Sequence, residues 1–151
     1  MNGIPWFGQR WASPRFSYDG YFSGAGIEWV ATQIRRGTIH PDAVPIRFVR
    51  VGDRRACLNN RSLLVLLKAG VRPTKMEDVT GLLPEDGGRE KGQRQVEREL
   101  ADIGGNPRPF IFVKRSDGWQ YWLDPGLGYD FPRSPFYPGV REIAIFPIEW
   151  L

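Results

Sequence analysis

The sequence has one cysteine and one histidine, and these two scarcities exclude more chemistry than any residue it contains. Cys57 alone makes no internal disulfide, and His40 alone cannot build the His/Cys clusters of a structural zinc site. Paired-imidazole acid and base cleavage of RNA is excluded on the same count, and a His-metal nuclease finger is disfavoured with it. No apolar run approaches the roughly 18–20 residues that span a bilayer, so a helical membrane span is excluded. The longest run, Leu63-Leu64-Val65-Leu66-Leu67, suits a buried helix or strand. Met1 to Arg10 lacks a basic stretch followed by an apolar one, so no secretory signal is visible. A piece cut from the C-terminal end of a longer exported protein would read the same way, and the close at Glu149-Trp150-Leu151 after strand-like sequence is compatible with that. Internal repeats and a Walker-type Gly-Lys-Ser/Thr motif are also absent.

What is present suits one ordinary globular domain: 151 residues, 41% hydrophobic and 13% aromatic. The net charge is +4, unevenly spread. From Arg35 to Lys75 ten basic residues face only Asp42 and Asp53, an excess of eight, and the rest of the chain carries a net −4. Such asymmetry focuses positive potential on one region, for which phosphate-bearing partners are the usual reason. A solvated basic face, offset by acidic surface elsewhere or by a protein partner, is the alternative.

Hydrophobic patterning predicts a mixed α+β fold with a small mixed sheet, two to three helices and long Pro/Gly-rich loops. Residues 1–24, with seven aromatic residues and no clean period, read as an irregular arm packed by its rings. Ile27, Val30, Ala31 and Ile34 make one stripe of a helix that Gly37 stops, which brings Arg35 and Arg36 to its last turn. A strand over 46–51, a Gly52-Asp53 turn and a strand over 54–58 form a hairpin. A short buried helix follows, with Asn59 or Asn60 as its cap and Gly70 as its stop. Residues 71–81 return to the sheet, 82–92 form a loop, and 93–103 make an amphipathic helix ended by Gly104-Gly105. A second hairpin turns at Asp117-Gly118, 124–139 is another long loop, and 140–148 closes the chain as a strand. We read 1–151 as a single domain: the arm, a basic core over 25–81, and a helix-plus-hairpin extension over 82–151.

The informative stretch runs from Ile34 to Gly81. A helix N-terminus offers unpaired N–H groups and partial positive charge, and Arg61 in its first turn adds a guanidinium, which together suit phosphate. The same residues also read as a plain cap beside an ordinary surface arginine. Gly37-Thr38-Ile39-His40-Pro41-Asp42, Val44-Pro45-Ile46, Val51-Gly52-Asp53, Leu58-Asn59-Asn60-Arg61-Ser62-Leu63 and Lys68-Ala69-Gly70-Val71 resemble ParB/sulfiredoxin-like domains. The likeness is nearest to those found as C-terminal toxin domains of bacterial polymorphic toxins, and Arg15-Phe16-Ser17-Tyr18 is similar to the entry of such domains. It spans residues 15–81 and departs from the toxin-like motif at Asn59, where that motif has Asp, and at Ser62, where it has a second Arg.

The resemblance implies that Asn60 and Arg61 meet the phosphate of a nucleotide or nucleic acid. On that basis the expected catalytic residues are Arg61, Asn60, Asp78 as a base and His40 as a proton donor. Arg35, Arg36, Asn59, Ser62, Lys68 and Arg72 are the expected phosphate contacts. A charge pair with Lys75 or Arg72 is the other reading of Asp78, and a backbone-bonded loop residue the other reading of His40. Cys57, inside a strand pattern, reads as a small buried residue. Glu85-Asp86 with Glu90-Lys91 is the one acidic cluster with a lysine that a metal nuclease could use. No metal ligand is assigned, though a divalent ion such as magnesium would suit a nuclease. The expected function is therefore an antibacterial toxin domain that cleaves nucleic acid in the target cell's cytoplasm, with an acidic immunity protein as partner. A ParB-like nucleotide-binding or nucleotide-hydrolysing domain and a non-catalytic nucleic-acid-binding module are the alternatives. Trp119 and Tyr121, on one strand face, are candidate base-stacking residues.

Overall fold

The computed structural model describes residues 4–18, 20–85, 91–108, 110–115, 118–123 and 141–146. It is α+β, but with two four-stranded sheets where one small mixed sheet was expected. The arm adds one short edge strand to each. It contributes β1 (Trp6–Phe7) and β2 (Trp11–Ala12), strands of two residues each, too short to show a period. In the first sheet β1 lies parallel to β4 (Arg54–Cys57), which is antiparallel to β3 (Ile46–Val51), which is parallel to β5 (Met76–Asp78). In the second, β2 lies parallel to β6 (Phe110–Arg115), followed antiparallel by β7 (Gly118–Leu123) and β8 (Arg141–Phe146). The turn residue Asp117, the loop 124–139 and the side chains of Trp119 and Tyr121 lie outside the described residues, as do Asp86 and Glu90.

Each helix sits where its apolar pattern requires. In α1 (Ile27–Arg35) the buried residues are Ile27, Val30, Ala31 and Ile34, the stripe read from the sequence. Helix α2 (Asn60–Ala69) is buried at Asn60 and at every position from Leu63 to Ala69, as a helix apolar on all sides must be. Gly70 ends it at φ +81°, in the left-handed region that suits glycine. Both helices share one core with Ile46 and Cys57 of the first sheet and Ile111 and Val113 of the second. On the other side of the first sheet, α3 (Gln93–Ala101) sets Val96 and Leu100 against Val49, Ala56, Leu58 and Val79. Burying each of these Leu, Ile and Val side chains contributes about 1.5–3 kcal/mol.

Two close approaches in the arm depend on glycine. A Cβ on Gly8 would lie 2.6 Å from the Cys57 carbonyl oxygen, so any side chain would push β1 off β4. At Gly24, with φ +78°, a Cβ would strike the Tyr18 ring.

Burial at 1% exposure pushes the Cys57 thiol up to about 12. Cys57 is thus a packing residue, as its strand pattern implied, and no nucleophile at neutral pH. Labelling by a thiol reagent is expected to follow unfolding: the rate should rise with urea and be negligible in buffer. Fast labelling of the native protein would contradict this placement.

Candidate phosphate pocket

Helix α2 starts at the end of β4, and its first turn is built by two asparagines that face away from the helix. Neither caps it with a side chain. Asn59 Oδ1 accepts from the Arg47 N–H at 2.9 Å while its Nδ2 donates to the Pro45 carbonyl at 2.6 Å, bracing the start of β3. Its amide therefore fits where an aspartate would turn a second oxygen toward that carbonyl. Asn60, 2% exposed, accepts from the Gly8 N–H at 2.9 Å and donates to the Leu58 carbonyl at 3.3 Å, tying the arm to the sheet. Both asparagines thus hold the local frame. The helix end they leave uncapped keeps its partial positive charge.

Beside that turn lies a cavity of about 460 Å³, closed on one side by the arm. Arg47, Arg61 and Lys91 line it, with Phe16, Tyr21 and Phe22 on the arm side; no Asp or Glu is among the described lining residues. Arg61 is half-buried; its guanidinium donates to the Arg15 carbonyl and lies 5.7 Å from the centre of the Phe16 ring. Burial draws its pKa down from the ordinary arginine value, and the group remains a cation at neutral pH. Lys91 donates to Gln9 Oε1 at 2.5 Å and to Glu99 Oε2 at 2.9 Å, so its charge is largely answered already. Arg61, in the first turn of α2, and Arg47, on β3, both bring a cation to the cavity lining beside the helix start. A larger depression of about 570 Å³ along α3 mixes Glu85 and Glu97 with Arg94 and Arg98, and such mixed charge does not select a phosphate.

Of the residues expected from the sequence, Asn59, Asn60, Arg61 and Ser62 come together here. The others are elsewhere. Lys68, 1% exposed, is sealed between the helices with its ammonium on the Glu28 carboxylate, so it does not serve as a surface phosphate contact. Arg35, Arg36 and Arg72 are exposed and outside the lining. His40 caps the 3-10 turn Pro41–Ala43, its Nδ1 accepting from the Asp42 N–H at 3.0 Å, the backbone-bonded alternative. Asp78 is on β5, ion-paired with Arg50 at 3.1 Å and accepting from the Thr80 hydroxyl at 2.6 Å. It does not face the pocket, and its cationic partner is neither Lys75 nor Arg72. Sequence reasoning missed Arg47 and Lys91 as site residues. Arg47 was legible only through strand β3, whose start meets the start of α2; Lys91 follows a glycine-rich stretch with no period to place it. Among the described residues, no group of three His, Cys, Asp or Glu side chains could hold a metal, and no helix is long and apolar enough to cross a membrane.

The Thr80 hydroxyl and N–H, with Arg50, hold the Asp78 carboxyl below the ordinary carboxylate value of 3.8, and the Thr74 hydroxyl does the same for Asp42. A depressed folded-state pKa means stability that is present above the ordinary value and lost as pH falls through the folded-state value. Urea midpoints measured from neutral pH into acid should therefore fall less steeply below pH 3.8 for the double variant Asp42→Asn, Asp78→Asn than for the wild type. Parallel curves would show that these carboxylates carry no such coupling.

Compared with known protein families, curated proteins and solved structures, the chain matches no family model, no curated protein and no solved structure.

Proposed function

We propose that the protein acts on nucleic acid, seating a backbone phosphate against Arg61, Arg47 and the open first turn of α2. The observation that carries this reading is the pocket's lining: cations, amides and aromatic rings, with no carboxylate among its described residues. Guanidinium groups at such a site stabilise the charge that builds on a phosphoryl oxygen during phosphodiester cleavage, and fixed electrostatics of this kind is a large catalytic contribution. The described lining also contains no imidazole, which favours a second reading as a binding module without turnover. The toxin role that the family resemblance implies belongs to the first reading, and an acidic immunity partner would then plug the basic pocket.

The test is incubation of the wild type and Arg61→Ala with plasmid DNA and with total RNA, with and without magnesium. Degradation by the wild type alone supports a nuclease using Arg61. Salt-sensitive binding without degradation selects the binding module, and the absence of both binding and degradation rejects the proposal.

A further inference from the structure

We infer that the pocket takes single-stranded nucleic acid, with one base laid on the Tyr21 ring while a backbone phosphate of the same strand meets the arginines of the lining; this rests on the nucleic-acid reading above. Tyr21 lines the cavity and is 80% exposed, so its ring is open to a ligand. It is held there by a row of contacts. Its ring meets Phe22 edge-on at 4.9 Å and 88°, Phe22 packs on Phe16 at 4.8 Å, and Phe16 lies beneath the Arg61 guanidinium. The row thus begins at the cation and ends in an open aromatic face at the rim.

A base needs such a face, and every base has one to offer in return, so stacking of this kind is tolerant of sequence. In a duplex the faces are already occupied by neighbouring pairs, and the phosphates run along a convex rail. A seat of about 460 Å³ is the size of a small-ligand site, typically about 300–1,000 Å³. That size suits a splayed-out nucleotide. Base-edge contacts would be needed to read sequence; the rim residue here offers a ring face and one hydroxyl.

The experiment is fluorescence anisotropy with labelled phosphorothioate oligothymidylate, which resists cleavage, against a duplex containing the same strand. Ribose 5-phosphate, which carries a phosphate and no base, is the competitor. The single strand should bind at least about 10-fold more tightly than the duplex, and Tyr21→Ala should weaken it about 5- to 100-fold. Tyr21→Phe should restore binding, and competition by ribose 5-phosphate should be the same in wild type and Tyr21→Ala. Equal binding of duplex and single strand, or an unchanged Tyr21→Ala with ribose 5-phosphate still competing, would overturn the base seat and leave the phosphate pocket standing. Loss of all Arg61-dependent binding, to every probe, would instead remove the nucleic-acid reading itself.

Discussion

Arg61→Ala is expected to weaken nucleic-acid binding about 10- to 100-fold, the effect of losing one charge-assisted contact to phosphate of about 1.5–3 kcal/mol. Arg47→Ala should act in the same direction. The pair should fall short of the sum of the two losses, because both groups face one anion. A salt titration separates lost contacts from a damaged fold: each phosphate contact removed should lower the slope of log affinity against log salt by about 1. Arg61 also ties down the arm through the Arg15 carbonyl and the Phe16 ring, so the alanine variant should lose some thermal stability as well. Arg61→Lys retains the charge but not the planar fork, and should recover the salt slope better than the affinity. Unchanged affinity and slope in Arg61→Ala would remove this residue from the site.

Glu28→Gln is expected to destabilise the protein more than Lys68→Met, although the glutamate is the exposed partner. The Lys68 side chain is 2% exposed and that of Glu28 63%. Removing the carboxylate leaves the lysine's ammonium inside the apolar α1/α2 contact with its charge less well answered. Breaking a buried pair costs about 3–5 kcal/mol, and the exposure of Glu28 reduces that to about 1–3 kcal/mol here. Methionine at 68 replaces the stem with one of similar length and removes the need for a countercharge, so its cost should lie within about 1 kcal/mol of zero. Urea denaturation of the two variants gives the comparison directly. Equal losses would mean that the ammonium finds sufficient solvation without Glu28.

The contrast at Lys68 also shows where the sequence is readable. A lysine in the last turn of a helix within a basic stretch looks like part of a basic face, and its partner stands forty positions earlier. The apolar run before it marks the helix as buried, but nothing local supplies its countercharge. By contrast α1, β3, β4 and α2 were legible from local causes: a four-residue stripe, β-branched runs meeting at Gly52-Asp53, and Gly70 as a stop. The two strands of the arm were not, because a ladder of two residues has no period and depends on partners far along the chain. At the pocket the Asn-Asn-Arg-Ser turn was legible as a polar helix start, yet the roles within it were not. Asn59 and Asn60 belong to the frame, bonded to Arg47, Pro45, Gly8 and Leu58, and only Arg61 of that group turns a cation toward the cavity wall. Lys91 and Tyr21 reach the same cavity from opposite sides in sequence, which no spacing rule anticipates.

The arm also sets the order in which the molecule can be completed during synthesis. Trp6 pairs with Ala56, and Trp11 with Phe112. The arm therefore waits for partners that are made much later than itself, and closing such long loops is slow compared with forming the helices between them. Until β6 has emerged, β2 has no neighbour, and the segment that walls the pocket is anchored at one end only. Helices α1 and α2 can pack on each other before β6 supplies Ile111 and Val113 to their core, so the arm that walls the ligand seat should be fixed late, once β6 is made.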